Sequence, residues 1–375
     1  MQDVLIPTPA LHQWVVELWQ AAGSDAREAQ LTADHLVQAN LSGHDSHGVG
    51  MIPKYVNAWQ ANELQLNQHA RIVHDGGTML NVDAQCGMGQ AVAEEAMELA
   101  IARARQHGVC IMGLNHSHHI GRVGHWAEQA TRAGMISIHF TNALSSAFVA
   151  PHGGQNARMG TNPFTIGVPR GDAPPLILDF ATSAIAMGKV RVALNKGVPV
   201  PENCLLDAQG QPTTAPRAMY PVPGSGVGMG ALQTFGGEIA GHKGYALALM
   251  CEVLGAAVTG GETIRPEVLA RRQHAVWNNM LAIVFDPARM GTSATLGREM
   301  EAFIAWVQSA DCLPGHDHIQ LPGEPERSMR LARAQAIPVD ATTLAELDRA
   351  AGQVQAARGT SPGPLSRWLT AGAAA

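Results

Sequence analysis

Four histidines fall within twelve residues in NHSHHIGRVGHW, positions 115–126. Two more flank an aspartate and a serine in GHDSHGVGMIPKYV, positions 43–56. Imidazole titrates near neutral pH, so such clusters suit proton transfer to or from a developing alkoxide, or metal ligation. In the first cluster His118 and His119 are adjacent, with His116 and His125 farther off. That is poor spacing for zinc, and no thiolate or carboxylate accompanies it. The turn Gly121-Arg122-Val123 adds backbone N–H groups and a guanidinium ahead of a helix, which favours an anion such as a pyrophosphate. A merely solvated loop is the plain alternative. In the second cluster Asp45, Ser46 and His47 are consecutive. Consecutive helical residues do not face one another, so no direct triad is implied. Ser46 could bond a ring or a substrate oxygen, or the cluster could be a cap and turn.

A third set is spread along the chain: GTNPFTIGVP (160–169), LDFATSAIAMGK (178–189), GHKGYALALM (241–250) and LPGE (321–324). Asp179 closes an apolar run, where a carboxylate could hold a ribose hydroxyl. His242 and Lys243 are predicted at a helix N-terminus. A cation there opposes the helix dipole, so a bound anion would explain it, as would simple exposure of Lys243.

These groups need elements to hold them. Thr8 is predicted to cap a first helix, with Gly23 after its end, and Ser24 to cap a second that runs into GHDSHG. Strands are predicted at 79–83, 109–114, 135–141, 175–180 and 280–287, and helices at 89–108 and 123–134. The four-histidine segment then lies in a loop between a strand and a helix, where α/β proteins commonly bind ligands. The stretch 243–259 is apolar on every side and is expected to be buried. Helical texture returns at 296–310 and 342–359. The expected organisation is a helical part built from residues 1–75 and 291–375 around an α+β domain over 76–290.

Composition narrows the class. The chain has 375 residues, 46% hydrophobic and 15% charged, with a net charge of -6. Nothing basic suggests nucleic acid. The apolar stretch 244–261 carries Glu252 and reads as a buried helix rather than a membrane span. The first residues read as folded protein, not as a signal peptide. Five widely spaced cysteines fit a reducing cytoplasm better than a disulfide framework. There is no GxxxxGK[ST], HExxH or GxSxG. GVGMGA (226–231) matches the dinucleotide fingerprint in letters only, because it follows a proline-rich loop and not a strand. An ordinary Rossmann enzyme is therefore not expected.

Taken in order, SHG (46–48), GTNP (160–163), LDFATSAIAMGK (178–189), KGVPVP…PTT (196–214) and GHKGYALALMCEVLG (241–255) resemble the type-2 malate/L-lactate dehydrogenase family. The resemblance covers nearly the whole chain. It implies a non-Rossmann nicotinamide-binding α+β fold with a mixed sheet, a helical domain from both chain ends, and a homodimer. It implies hydride transfer between NAD(H), or NADP(H), and C2 of a small 2-hydroxy or 2-oxo acid; no metal is expected, on the histidine spacing above. His47 falls on the family's acid–base histidine, Ser46 on its relay, and His119 on a second histidine that some members use as the base. His47, Gly121, Arg122, Val123, Leu178, Asp179, Phe180, Ala181, His242, Asn278, Leu321, Pro322, Gly323 and Glu324 would lie along the cofactor. Asn162 and Lys189 would lie at the substrate. Many relatives carry an arginine for the substrate carboxylate where this chain has Met51. A thioether forms no ion pair, so Arg122, Arg158 or Lys189 would take over, and Met51 would line a pocket for a bulky or aromatic side chain. The rival readings are malate, lactate or ureidoglycolate oxidation, NADPH-dependent reduction of cyclic 2-imino acids, and nucleotide binding without turnover.

Overall fold

The computed structural model describes residues 3–222 and 227–371. Gly226, which opens the GVGMGA match, lies outside the described residues.

The helix Thr8–Ala22 buries Leu11, Trp14, Val15, Leu18 and Trp19, and Gly23 ends it at φ +113°, the left-handed geometry that glycine adopts without strain. Two capping expectations need correction. Thr8 is already helical, and its hydroxyl donates to Arg333 O. The next helix, Ala26–Leu41, is capped by Asp25 and not by Ser24. The Asp25 carboxylate accepts from Glu28 N–H at 2.7 Å, while the Ser24 hydroxyl donates to Glu28 Oε1 at 2.6 Å. A carboxylate next to the helix start gains from the dipole as well as the hydrogen bond.

The chain ends meet. Strand Val4–Pro7 pairs antiparallel with Ala336–Val339. Trp14, Trp19, Leu36 and Tyr55 share one apolar core with Leu347, Ala350 and Val354 of helix Ala341–Arg358. Helix Ser293–Gln308 does not join that core, contrary to expectation. Ile304 is its one buried side chain, Trp306 is 75% exposed, and Arg170 and Glu301 pair it to the sheet edge at 2.7 Å.

Among the described residues seven strands form one mixed sheet, in the order Arg71–Asp75, Met79–Asp83, Val109–His118, Trp277–Phe285, Ile136–Leu144, Phe164–Arg170, Ala173–Phe180. Only Met79–Asp83 and Val109–His118 run parallel. The chain is α+β, and this is not the parallel order of a doubly wound fold. Helix Gly89–His107 lays Ala93, Ala96, Met97 and Ala100 against Met112, Leu114 and Met280. On the other face Gly255 comes within about a van der Waals contact of the backbone at Asn142, where a Cβ would stand 2.9 Å from the amide nitrogen.

Two more expectations change. The strand predicted over 109–114 continues to His118, so His116 and His118 are strand residues. A register shift opposite Asn278 and Met280, with His116 at φ +52°, marks a bulge there, a device that re-aims neighbouring side chains. The apolar helix begins at Gly237 and is buried only along Gly241, Gly244, Ala248, Cys251 and Glu252. Ile239 is 93% exposed, and Met250, Val253 and Val258 also face outward. The starting point moves His242 and Lys243 into the second turn, so the dipole argument for an anion beside them falls.

No helix among the described residues is long and apolar enough to cross a membrane. The five cysteines are unpaired thiols.

Candidate active site

The turn Asp45–His47 is held from below and from the side. Asn40 at the end of helix Ala26–Leu41 donates to Asp45 Oδ1 at 2.7 Å and accepts from Val49 N–H at 2.8 Å. Arg333, from the far end of the chain, pairs with Asp45 at 2.8 Å. Asp45 is therefore spent on holding the turn and is not a third member of a triad. Gly48 lies against Asn40, where a Cβ would stand 2.1 Å from Oδ1. The clamp presents Ser46 and His47 upward, with Ser46 Oγ 2.9 Å from His47 Nδ1.

The His47 ring stacks on that of His119, with centroids 5.5 Å apart and planes 28° from parallel. His119 leaves the strand Val109–His118 next to the bulge. Its Nδ1 lies 2.6 Å from the Tyr55 hydroxyl, which accepts from Gln90 Nε2–H at 3.0 Å. Gln90 Nε2–H takes one Tyr55 lone pair, and among the described residues His119 Nδ1 is the acceptor within reach of the phenolic proton, so that proton points to it. The neutral His119 ring then carries its proton on Nε2. Burial raises the Tyr55 pKa and keeps the phenol protonated. Burial, reinforced by His47, holds His119 well below the ordinary histidine range, and burial lowers His47 to about 4. Both rings are thus neutral at physiological pH.

The turn after His119 departs from expectation. The N–H of Ile120 goes to Asn278 Oδ1 (3.0 Å), that of Arg122 to His35 Nε2 (2.9 Å) and that of Gly124 to Asp179 Oδ2 (2.8 Å). The Arg122 donor within the turn is thus taken, as are the donors on either side of it. Gly121, at φ +72°, is required by His35, whose Nε2 would lie 2.1 Å from a Cβ. Arg122 is 3% exposed and pairs with Glu128 at 2.8 Å, and its Nη1 stands 4.0 Å from Asp179. That Nη1 is buried without a hydrogen-bond acceptor, which fits a ligand oxygen better than an empty site. Val123 is buried.

The remaining sequence candidates divide. Leu178, Asp179, Phe180 and Ala181 end the sheet-edge strand Ala173–Phe180 or follow it, and LPGE docks beside them through Ile177 N–H to Pro322 O at 3.2 Å. Gly323 opens helix Glu324–Ala332 at φ +85°, and Glu324 accepts from Leu321 N–H at 2.9 Å. Asn278 is committed inward, also donating to Asn142 O. Asn162, expected at the substrate, is fully buried and spends both amide hydrogens on Ala248 O and Glu252 Oε2. His242 is exposed beside His152, at 5.9 Å between ring centroids. Asp179 accepts from Thr165 Oγ1 at 2.7 Å as well as from Gly124. Met51 packs against the apolar core of the chain ends. His116 meets Asp83 at 3.3 Å and His125 lies on His35, away from the His47–His119 stack. No group of three or more His, Cys, Asp or Glu among the described residues could hold a metal ion.

Sequence reasoning missed Tyr55 and Gln90. Tyr55 follows Met51 by four residues on helix Ile52–Gln60, and that spacing was its available signal. Helix Met187–Lys196, also unforeseen, crosses the turn so closely that a Cβ on Gly188 would meet Ser46 Cβ at 2.6 Å.

A neutral imidazole pair with one ring fixed by a phenol, on a mixed α+β sheet, defines an acid–base site outside the Rossmann class. The malate/L-lactate dehydrogenase family model matches residues 6–348, and the chain belongs to that family. It is 47% identical over 348 residues to hydroxycarboxylate dehydrogenase B of Escherichia coli O157:H7, covering 92% of both chains. A solved Escherichia coli structure, provisionally assigned as a malate/lactate dehydrogenase, aligns with a TM-score of 0.90 at 43% identity over 99% of both chains. The delta1-piperideine-2-carboxylate reductase of Pseudomonas syringae pvar. tomato aligns at 0.78 and 29% identity over 93% of this chain and 99% of the other.

Proposed function

We propose that the chain is an NAD(H)-dependent oxidoreductase interconverting 2-hydroxy and 2-oxo acids, with bulky or aromatic 2-oxo acids favoured. The observation that carries this is the His47–His119 stack at 5.5 Å, with Ser46 on one ring and Tyr55 on the other, in a chain of this family.

Nicotinamide, when bound, gives or takes the hydride at C2. In the oxidative direction neutral His47 accepts the proton of the substrate hydroxyl, and in reduction it returns a proton to the carbonyl oxygen. Ser46 steadies the His47 ring through Nδ1. His119, with its proton on Nε2, donates a hydrogen bond to the same oxygen without changing its charge. The orphaned Nη1 of Arg122, together with Leu178 to Ala181 and Leu321 to Glu324, would hold the cofactor. The resemblance favours NAD, with NADP the alternative. Met51 supports the preference for bulky side chains, because a partly buried thioether offers contact and no charge.

The outward apolar residues Ile239, Met250, Val253 and Val258 support a homodimer, since a patch of this kind is costly to leave in water. Five unpaired thiols support a cytoplasmic location. The shared core of the chain ends supports a helical domain beside the sheet domain. A second reading, reduction of cyclic 2-imino acids, is favoured by the likeness to the piperideine carboxylate reductase.

The test is consumption of NADH and of NADPH against a panel of 2-oxo acids and one cyclic 2-imino acid. Turnover of phenylpyruvate with a higher kcat/KM than oxaloacetate is expected. A higher value for oxaloacetate overturns the side-chain preference, and turnover of the imine alone replaces the substrate class.

A further inference from the structure

The backbone on either side of His119 has no ordinary strand ladder to hold it. On the facing strand Trp277 pairs with His118, Asn278 with Ser117 and Met280 with Leu114, which leaves Asn279 opposite both Asn115 and His116. The strand that carries the histidines ends at His118. A bulge and a strand end each leave backbone donors without a ladder partner, and buried ones must be met in another way. Two side chains of the facing strand meet them. Asn279 Oδ1 accepts from His116 N–H at 2.9 Å, and Asn278 Oδ1 accepts from Ile120 N–H at 3.0 Å. One contact lies three residues before His119 and the other directly after it.

Resting on the reading that His119 serves a 2-hydroxy acid oxidoreductase, we propose that Asn278, backed by Asn142, is a positioning residue for His119. It fixes the peptide from which the ring meets both Tyr55 and His47. The carbonyl end of that peptide is pressed by Gly89, where a Cβ would stand 2.1 Å from His119 O, and its N–H end is the one that Asn278 accepts. Asn278 is locked from behind. Its Nδ2–H donates to Asn142 O at 2.8 Å, and Asn142 Oδ1 accepts from Asn279 N–H at 3.0 Å and from Asn279 Nδ2–H at 2.9 Å. Asn142 Nδ2–H donates in turn to Glu262 O at 3.1 Å and to Glu252 Oε1 at 3.4 Å. The Glu252 carboxylate also accepts from Ile264 N–H at 2.6 Å and from Asn162 Nδ2–H at 2.8 Å. Gly261 packs on Asn279, where a Cβ would stand 2.3 Å from Cγ. The four asparagines and Glu252 are all buried. The Asn278 amide has one usable orientation, because turning it over would set donor against donor at Ile120 and acceptor against acceptor at Asn142. Both ends of the amide are thus engaged inside the fold, although the family resemblance sets this position along the cofactor. A buried network with its members satisfied is rigid, and rigidity matters here because a displacement of about 1 Å at a reacting group can cost about 10²-fold in rate.

The experiment compares wild type, Asn278→Ala, His119→Ala and the double variant by kcat, by NADH affinity from fluorescence titration, and by amide hydrogen exchange. Asn278→Ala is expected to lower kcat by about tenfold to a hundredfold, with NADH affinity unchanged. In a His119→Ala background the same substitution should cost little more, because the ring that it positions is gone. Exchange across residues 115–126 should quicken while helix Gly89–His107 stays protected. Full additivity of the two substitutions overturns the assignment, since the loss then does not pass through His119. A fall in NADH affinity at unchanged kcat also overturns it and makes Asn278 a cofactor contact. If wild type turns over neither a 2-oxo acid nor a cyclic imine, the functional reading fails by itself, and exchange still decides the latch: unchanged protection of the segment in Asn278→Ala overturns it. Asn278→Ser, checked by circular dichroism, replaces Asn278→Ala if the latter does not fold.

Discussion

The Tyr55 hydroxyl lies 2.6 Å from His119 Nδ1 and takes its own hydrogen bond from Gln90 at 3.0 Å. This short chain fixes which nitrogen of His119 bears the proton. Tyr55→Phe keeps the ring and removes the orienting bond, so kcat should fall about tenfold or more while cofactor affinity holds, in line with the cost of losing a group that orients a functional histidine. Steady-state kinetics with NADH varied at fixed 2-oxo acid checks this. An unchanged kcat would remove Tyr55 from the machinery.

His47→Ala should lower kcat by roughly 10²–10⁴-fold, the usual worth of general acid–base catalysis, with a smaller change in KM for cofactor. If kcat persists in His47→Ala and falls in His119→Ala, the proton donor is His119.

The His47 pKa near 4 sets a direction for the pH profile. The ring is neutral, and so competent as a base, from neutral pH down to about pH 5. The oxidative kcat/KM should therefore stay level over that range and fall as pH drops through about 4. Under the proposed mechanism the reductive rate needs the protonated ring and should rise as pH falls. Parallel profiles in both directions, on protein shown to stay folded, check the sign. A fall in oxidative kcat/KM near pH 6.5 would contradict it.

Buried histidines also govern stability. His118 and His139 are lowered to about 3, both by burial. Their unfolded forms take up a proton near pH 6.5 and the folded forms do not. Stability is thus complete above about pH 6.5 and is lost progressively as pH falls toward 3. His139 lies on the sheet, bonded to Ser137 Oγ at 2.9 Å. Replacing it by Gln should flatten the decline of Tm between pH 6.5 and 4, measured by thermal denaturation.

Gly121→Ala combines a left-handed backbone with a clash against His35. It should destabilise the fold by about 1–3 kcal/mol, typical of a forced positive φ, and should displace Arg122. Thermal denaturation and NADH binding by fluorescence read the two effects. Wild-type values for both would show that the turn can relax away from His35.

Much of the sheet could be read from the sequence, because VCIMGL and MLAIVFDP are apolar runs that lie inside it and PLILDF is one that forms its edge. Phe164–Arg170 lies in the motif GTNPFTIGVP and is not among the expected strands, and nothing in the letters of Trp277–Phe285 indicates that it sits between Val109–His118 and Ile136–Leu144. Strand order depends on pairing between residues far apart in the chain, which local periodicity does not encode.

At the site, residue types determined a good deal. His47 with Ser46, His119 near a glycine turn, and an uncharged Met51 close to both are all visible in the letters, because a side chain keeps its chemistry wherever it is placed. Only the tertiary structure decided that the two rings stack, that Tyr55 and Gln90 fix one of them, and that Arg333 clamps Asp45 from 288 residues away. It also decided that the Arg122 N–H and the donors on either side of the glycine turn are already spent on His35, Asn278 and Asp179. Whether a donor is free depends on what the rest of the fold brings against it. That is a matter of long-range packing, and the same six letters IGRVGH would read identically whether His35, Asn278 and Asp179 met these donors or not.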